Sequence, residues 1–156
     1  MSEKKSRFRR LFIWSMILLG LGGVLLFRSY SLPDSAQMQE YFHQHRESLA
    51  AANREILASM APDGHLQAGV TDKQAKLLDI EFIETNSRFP LEIRYHTHVR
   101  GIGVGAYGTG IAFLELPPLR LYSNLENMAE DAAQEEGFTG YCAITENWYS
   151  FLWEAD

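Results

Sequence analysis

Residues 91–100 read LEIRYHTHVR, and the rest of the chain is organised around this stretch. Leu91, Ile93, Tyr95, Thr97 and Val99 alternate with Glu92, Arg94, His96, His98 and Arg100. A period of two puts the two sets on opposite sides of a strand, one buried and one wet, as in antiparallel sheets. Upstream, Leu78, Ile80 and Phe82 alternate with Asp79 and Glu81, so a second strand is expected from Leu77 to the turn at Asn86-Ser87. Downstream come Gly101, Gly103, Gly105, Gly108 and Gly110, then a strand at about 110–116 that Pro117-Pro118 closes. The chain ends in a hairpin, about 138–145 and 148–154, joined near Glu146-Asn147 and rich in Trp148, Tyr149, Phe151 and Trp153.

Two segments follow the helical period instead. After the break at Ser31 to Pro33, Asp34 or Ser35 caps a helix to about Met60. Its stripe is Met38, Phe42, Leu49, Ala52, Ile56 and Met60, with His45 in line. Pro62-Asp63-Gly64 ends it, and residues 65–76 read as loop with one helical turn after Thr71. Ser123 and Glu126 have capping-box spacing before a second helix, with Leu125, Met128, Ala129, Ala132 and Ala133 inward and Gly137 as its stop. No strand–helix–strand alternation demands a parallel sheet, so the expected class is α+β: one antiparallel sheet covered by two helices.

The N-terminal residues have a different character. Residues 1–10 carry five basic side chains (Lys4, Lys5, Arg7, Arg9, Arg10), and Leu11 to Phe27 then runs without a charge. At ~1.5 Å per residue those 17 residues make about 25 Å of helix, the lower limit for crossing a bilayer. The basic block precedes the run, so the positive-inside rule leaves residues 1–10 in the cytoplasm. Residues 11–27 then form a transmembrane helix, 28–33 a linker, and 34–156 a periplasmic domain of a bacterial inner-membrane protein. The rival reading is a signal peptide cut after Ser31, but the apolar run exceeds the usual core of ~7–15 residues. Beyond Phe27 there are 19 acidic and 9 basic residues, a net −10 within a chain total of −6. So acidic a domain argues against nucleic acid as a partner.

The motifs do not add up to a catalytic site. Gly103 to Gly108 spells GxGxxG, but a nucleotide site needs that run to open a helix, and a strand follows it. No nucleotide or other cofactor is therefore expected. His96 and His98 share a strand face in this reading and could chelate a metal, although Arg94 and Arg100 beside them would repel a cation. Cys142, the single cysteine, reads as a buried apolar residue with no visible activating histidine.

Two functional classes remain. The first is a non-enzymatic protein-interaction module, such as an envelope-complex accessory subunit or a toxin-immunity-type factor. Its partners would be the bilayer through residues 11–27 and a periplasmic protein. The expected contact residues are Tyr107 with Arg94, Arg100, Gly103 and Gly105, because Tyr107 lies outside any burying pattern and exposed aromatics anchor interfaces. The alternative is a small metal-binding protein or enzyme using His96 and His98.

Overall fold

The computed structural model describes residues 32–61, 65–86, 90–101, 106–132, 134–135 and 137–155. The 11–27 span and Gly103 and Gly105 lie outside them. No helix among the described residues is long and apolar enough to cross a membrane.

Asp34 starts the first helix, α1 (Ser35–Ala58), through a reciprocal box. Its carboxylate accepts from the Gln37 amide at 2.8 Å, and the Gln37 side chain accepts from the Asp34 amide at 3.0 Å. Met38, Phe42, Leu49, Ala52 and Ile56 are buried along one stripe, together with Asn53. A second helix, α2 (Val70–Leu78), occupies much of the expected loop and the start of the expected strand. Gln74, Ala75 and Leu78 are its buried residues, at helical spacing. Asp79, in left-handed conformation (φ 53°), ends it. Leu78 thus belongs to both periods, and the two-residue reading extended the strand five residues too far toward the N-terminus.

The strands are β1 (Phe82–Asn86), β2 (Glu92–Arg100), β3 (Tyr107–Leu114), β4 (Leu121–Tyr122), β5 (Thr139–Thr145) and β6 (Trp148–Glu154), with a third helix, α3 (Leu125–Ala132), between β4 and β5. They form one sheet in the order β1-β2-β3-β6-β5-β4. The class is α+β, but the sheet is mixed and three helices accompany it. β4 runs parallel to β5, with Leu121 opposite Tyr141 and Tyr122 opposite Cys142. Parallel neighbours need a crossover, and α3 supplies it. A two-residue strand has too short a period to read from sequence, which is why a purely antiparallel sheet was expected.

The α3 cap also differs from the expected Ser123–Glu126 box. Asn124 accepts from the Asn127 amide at 2.8 Å. Glu126 instead accepts from the Ser35 hydroxyl at 2.9 Å, and that hydroxyl accepts from the Leu125 amide at 2.6 Å. The starts of α1 and α3 are thereby tied together. Ala129 is exposed rather than inward.

α1 and α3 lie on one face of the sheet. Tyr95 reaches Asn53 (3.4 Å), Phe42 packs on Trp148 (5.5 Å between centroids), and Met128 sits against Gly140. The other face was expected to be wet, yet much of it is buried. Ala112, Leu114, Tyr141, Tyr149 and Phe151 form a core cluster there, with Trp153 packed against it. His96 belongs to the same face and is only 2% exposed. Among the described residues, these side chains pack on one another across the strands.

Gly108 and Gly110 explain how the aromatic rings fit. Phe151 is the cross-strand partner of Gly110, and Trp153 that of Gly108. A Cβ on Gly110 would lie 2.7 Å from the Phe151 ring and run into the Tyr95 carbonyl; one on Gly108 would lie 2.9 Å from Trp153 Nε1. The rings lie over the bare backbone, the arrangement known as aromatic rescue of strand glycines. These two glycines are therefore packing positions.

Candidate functional site

A β-bulge decides where the strand's charged residues point. Arg94 stands opposite Ala112 and His96 opposite Gly110, but His98 stands opposite Thr109, so Thr97 is an inserted residue. Thr109 points to α1, its hydroxyl 4.0 Å from Met38 Sδ. Residues opposite one another in a ladder share a face, so His98 and Arg100 turn to the helix side while Arg94 and His96 stay on the open side. Thus the alternation read from sequence holds only as far as Thr97. The two imidazoles are not brought together, and among the described residues no group of three His, Cys, Asp or Glu side chains could hold a metal.

His98 Nδ1 lies 3.0 Å from the Thr97 hydroxyl. Burial, then Arg100, lowers its pKa, while Glu81 opposes them. His96 is enclosed by aromatic rings. Phe82 stacks on it at 4.0 Å, and Phe151 and Trp153 meet it edge-on at 5.0 and 5.5 Å. Its Nε2 makes a long polar contact to Glu84 Oε2 at 3.4 Å, and Nδ1 has no hydrogen-bond partner.

From Glu84 a chain of polar contacts crosses the open face. Arg94 Nη1 is 3.4 Å from Glu84 Oε2, and Arg94 Nε donates to Glu92 Oε1 at 2.7 Å. The Tyr141 hydroxyl donates to the same Glu92 oxygen, and the Arg94 guanidinium lies 5.9 Å from the Tyr141 ring centre. Burial works against the Arg94 charge, but the Glu92 hydrogen bond, Tyr141 and the carboxylates outweigh it and raise its pKa. His96 and then Arg94 hold the Glu84 carboxyl below the usual range, against the cost of burial. Burial raises the Tyr141 hydroxyl, so it acts as a donor.

Two cavities adjoin this network. One, about 350 Å³, is lined by Glu84, Thr85, Asn86, Glu92 and Arg94. The other, about 370 Å³, shares Asn86 and Glu92 and runs past Pro90, Leu91, Leu114 and Leu116 to Pro118, Leu119, Arg120, Thr139 and Tyr141. On its rim the β3–β4 connection exposes Leu116 (46%) and Leu119 (105%), and Leu121 (57%) follows in β4. The result is a groove with a charged floor at one end and an apolar wall at the other.

The expected contact residues are divided by this geometry. Tyr107 is 40% exposed and pairs with Arg100 at the far end of the β2–β3 ladder. Arg94 lies on the opposite face among Glu84 and Glu92. The groove itself was missed from sequence. Its signal is residues 116–121, LPPLRL, where three leucines flank two prolines without alternation; the prolines were read only as a strand stop. Cys142 is buried as expected, and burial, followed by Glu126, pushes its thiol up to about 11, which favours the protonated thiol. The GxGxxG run leads into β3 and not into a helix.

Compared with known protein families, characterised proteins and solved structures, the chain matches none significantly.

Proposed function

We propose that the chain is a membrane-anchored docking module of the bacterial periplasm without enzymatic activity, and that it holds a protein partner in the groove of its open face. The observation that carries this reading is the exposure of Leu116, Leu119 and Leu121 beside the 370 Å³ cavity. Contiguous exposed apolar side chains with a polar border mark association surfaces. The chemistry around them suits binding rather than turnover: the thiol is unactivated, the histidines diverge, and the Arg94–Glu92–Tyr141 groups satisfy one another. Tyr107 and Arg100 offer a smaller second contact at the other end of the β2–β3 ladder. Anchoring through residues 11–27 rests on the basic block before them and the acidic chain after them.

Site-specific photo-crosslinking in producing cells tests the reading. A photoreactive residue at Leu119 should give one discrete adduct, and the same group at exposed Gln44 on α1 should not. Equal adducts at both positions, or none at Leu119, would remove the groove as a docking site. A reporter active only outside the cytoplasm should work when fused after Asp156 and fail after Arg10; the opposite result would overturn the topology.

A further inference from the structure

The groove joins two kinds of surface that a single partner segment must satisfy together. Glu92 stands directly opposite Leu114 in the β2–β3 ladder, so a carboxylate and an aliphatic side chain project side by side from the floor. The polar end holds Glu84 and Glu92 around one guanidinium, Arg94, which already contacts both. At the apolar end Glu115 accepts from the Leu91 amide, and Arg120 is held by both oxygens of Glu135 at 2.7 Å. Among the described residues, Glu84 and Glu92 line the groove itself, and Glu115 and Glu135 adjoin it through the contacts just given. Each of the two guanidinium groups, Arg94 and Arg120, is engaged within the protein. Among the described residues, an added cation would find carboxylates, whereas an added anion would find Arg94 and Arg120 already paired. Glu84 is the open end of the network, with a side chain 55% exposed and a carboxyl that stays ionised below the usual range. The exported part as a whole, at −10, attracts the same sign of partner.

Resting on the docking reading above, we infer that the occupant is an extended, basic-aliphatic peptide segment of the partner protein. In an extended chain residues two apart share a side, about 7 Å from one another. A Lys or Arg two positions from a Leu, Ile or Val thus places its charge at Glu92 and Glu84 while the aliphatic group lies on Leu114, Leu116 and Leu119.

Three fluorescein-labelled nonapeptides test this against the purified full chain in mild detergent, by fluorescence polarisation. One repeats the pattern Lys-Ser-Leu-Ser, the second replaces Lys by Glu, and the third replaces Leu by Ser. The first should bind at least tenfold more tightly than either control, and its affinity should fall as salt is raised. Glu84→Gln and Leu119→Ser should each weaken it at least fivefold, and both side chains are exposed enough for the fold to tolerate the change. Equal binding of the Lys and Glu peptides, binding unaffected by either variant, or no binding by any peptide overturns the inference. The docking reading stands or falls separately, on whether the Leu119 adduct forms in cells.

Discussion

The two faces of the sheet reach similar burial by different means. On the helix side, Met38, Phe42, Leu49 and Ile56 of α1 descend onto Ile93, Tyr95, Ile111 and Trp148, the layering that a helix stripe and a strand row dictate. On the open side no helix stripe is needed, because Phe151 and Trp153 lie across Gly110 and Gly108 and enclose His96. The first device spends long apolar segments; the second uses large rings beside residues with no side chain. It leaves room on the same face for Glu84, Glu92 and Arg94. The ion-pair network and the two cavities described above lie on that face.

The largest effect expected from this comparison is that the open face behaves as a core. Phe42 and Phe151 are 1% and 0% exposed, one on each side. Phe42→Ala and Phe151→Ala should each cost ~3–5 kcal/mol in urea unfolding. A loss below ~1 kcal/mol for Phe151 alone would mean that the open face is a surface that happens to be crowded.

Next comes Gly110→Ala. The new methyl meets the Tyr95 carbonyl and the Phe151 ring at once, and the backbone cannot move without disturbing β2. Overpacking of this kind costs ~1–3 kcal/mol, which a lowered midpoint of thermal unfolding would report. An unchanged midpoint would show that Phe151 does not lie over the glycine.

How much of this was legible in the sequence depends on which residues are asked. Leu91 to Tyr95 announced a strand, Asp34 announced a cap, and the terminal aromatics announced a hairpin, because each rests on local periodicity or local hydrogen bonding. The bulge at Thr97 did not, since THVR continues the alternation of LEIRYH without a break and only the partner strand reveals the inserted residue. Val99 therefore stands opposite Gly108 on the open face, although its parity with Tyr95 promised the helix side. The buried state of His96 was hidden for a related reason. Its cover comes from Phe82, Phe151 and Trp153, which are distant in sequence, and a polar residue in an alternating row reads as solvated. The groove was hidden because it is made by a connection, and connections have no period.

The bulge gives the third prediction. Sequence alternation put His96 and His98 on one wet face, whereas the structure separates them. His96→Ala removes a ring from an aromatic enclosure and should cost ~1–3 kcal/mol. His98→Ala, at a partly exposed position, should stay within ~0.5 kcal/mol. His96→Phe keeps the ring, deletes the unpartnered Nδ1 and gives up the long Nε2 contact to Glu84, so it should lie within ~1 kcal/mol of the parent in either direction. Equal losses from the two alanine variants would restore the uninterrupted alternation.

The smallest expected effect is electrostatic and lies at the rim of the open face. His96, then Arg94, lowers the folded-state pKa of Glu84, with burial opposing them. A carboxyl whose folded value lies below its unfolded one contributes stability that is fully present above the unfolded value, near ~4.3, and lost as pH falls through the folded value. The Glu84 side chain is 55% exposed, so solvent screening keeps that contribution below ~1 kcal/mol. Glu84→Gln should accordingly be slightly less stable than the parent at pH 7, and the two stability curves should converge as the pH is taken below ~4. In a His96→Phe background the gap at pH 7 should narrow, because the first cause of the lowered value has been removed. Curves that stay parallel from pH 7 to pH 3 would show that Glu84 is an ordinary surface carboxylate. The ion-pair network would then begin at Arg94, leaving His96 with purely aromatic neighbours.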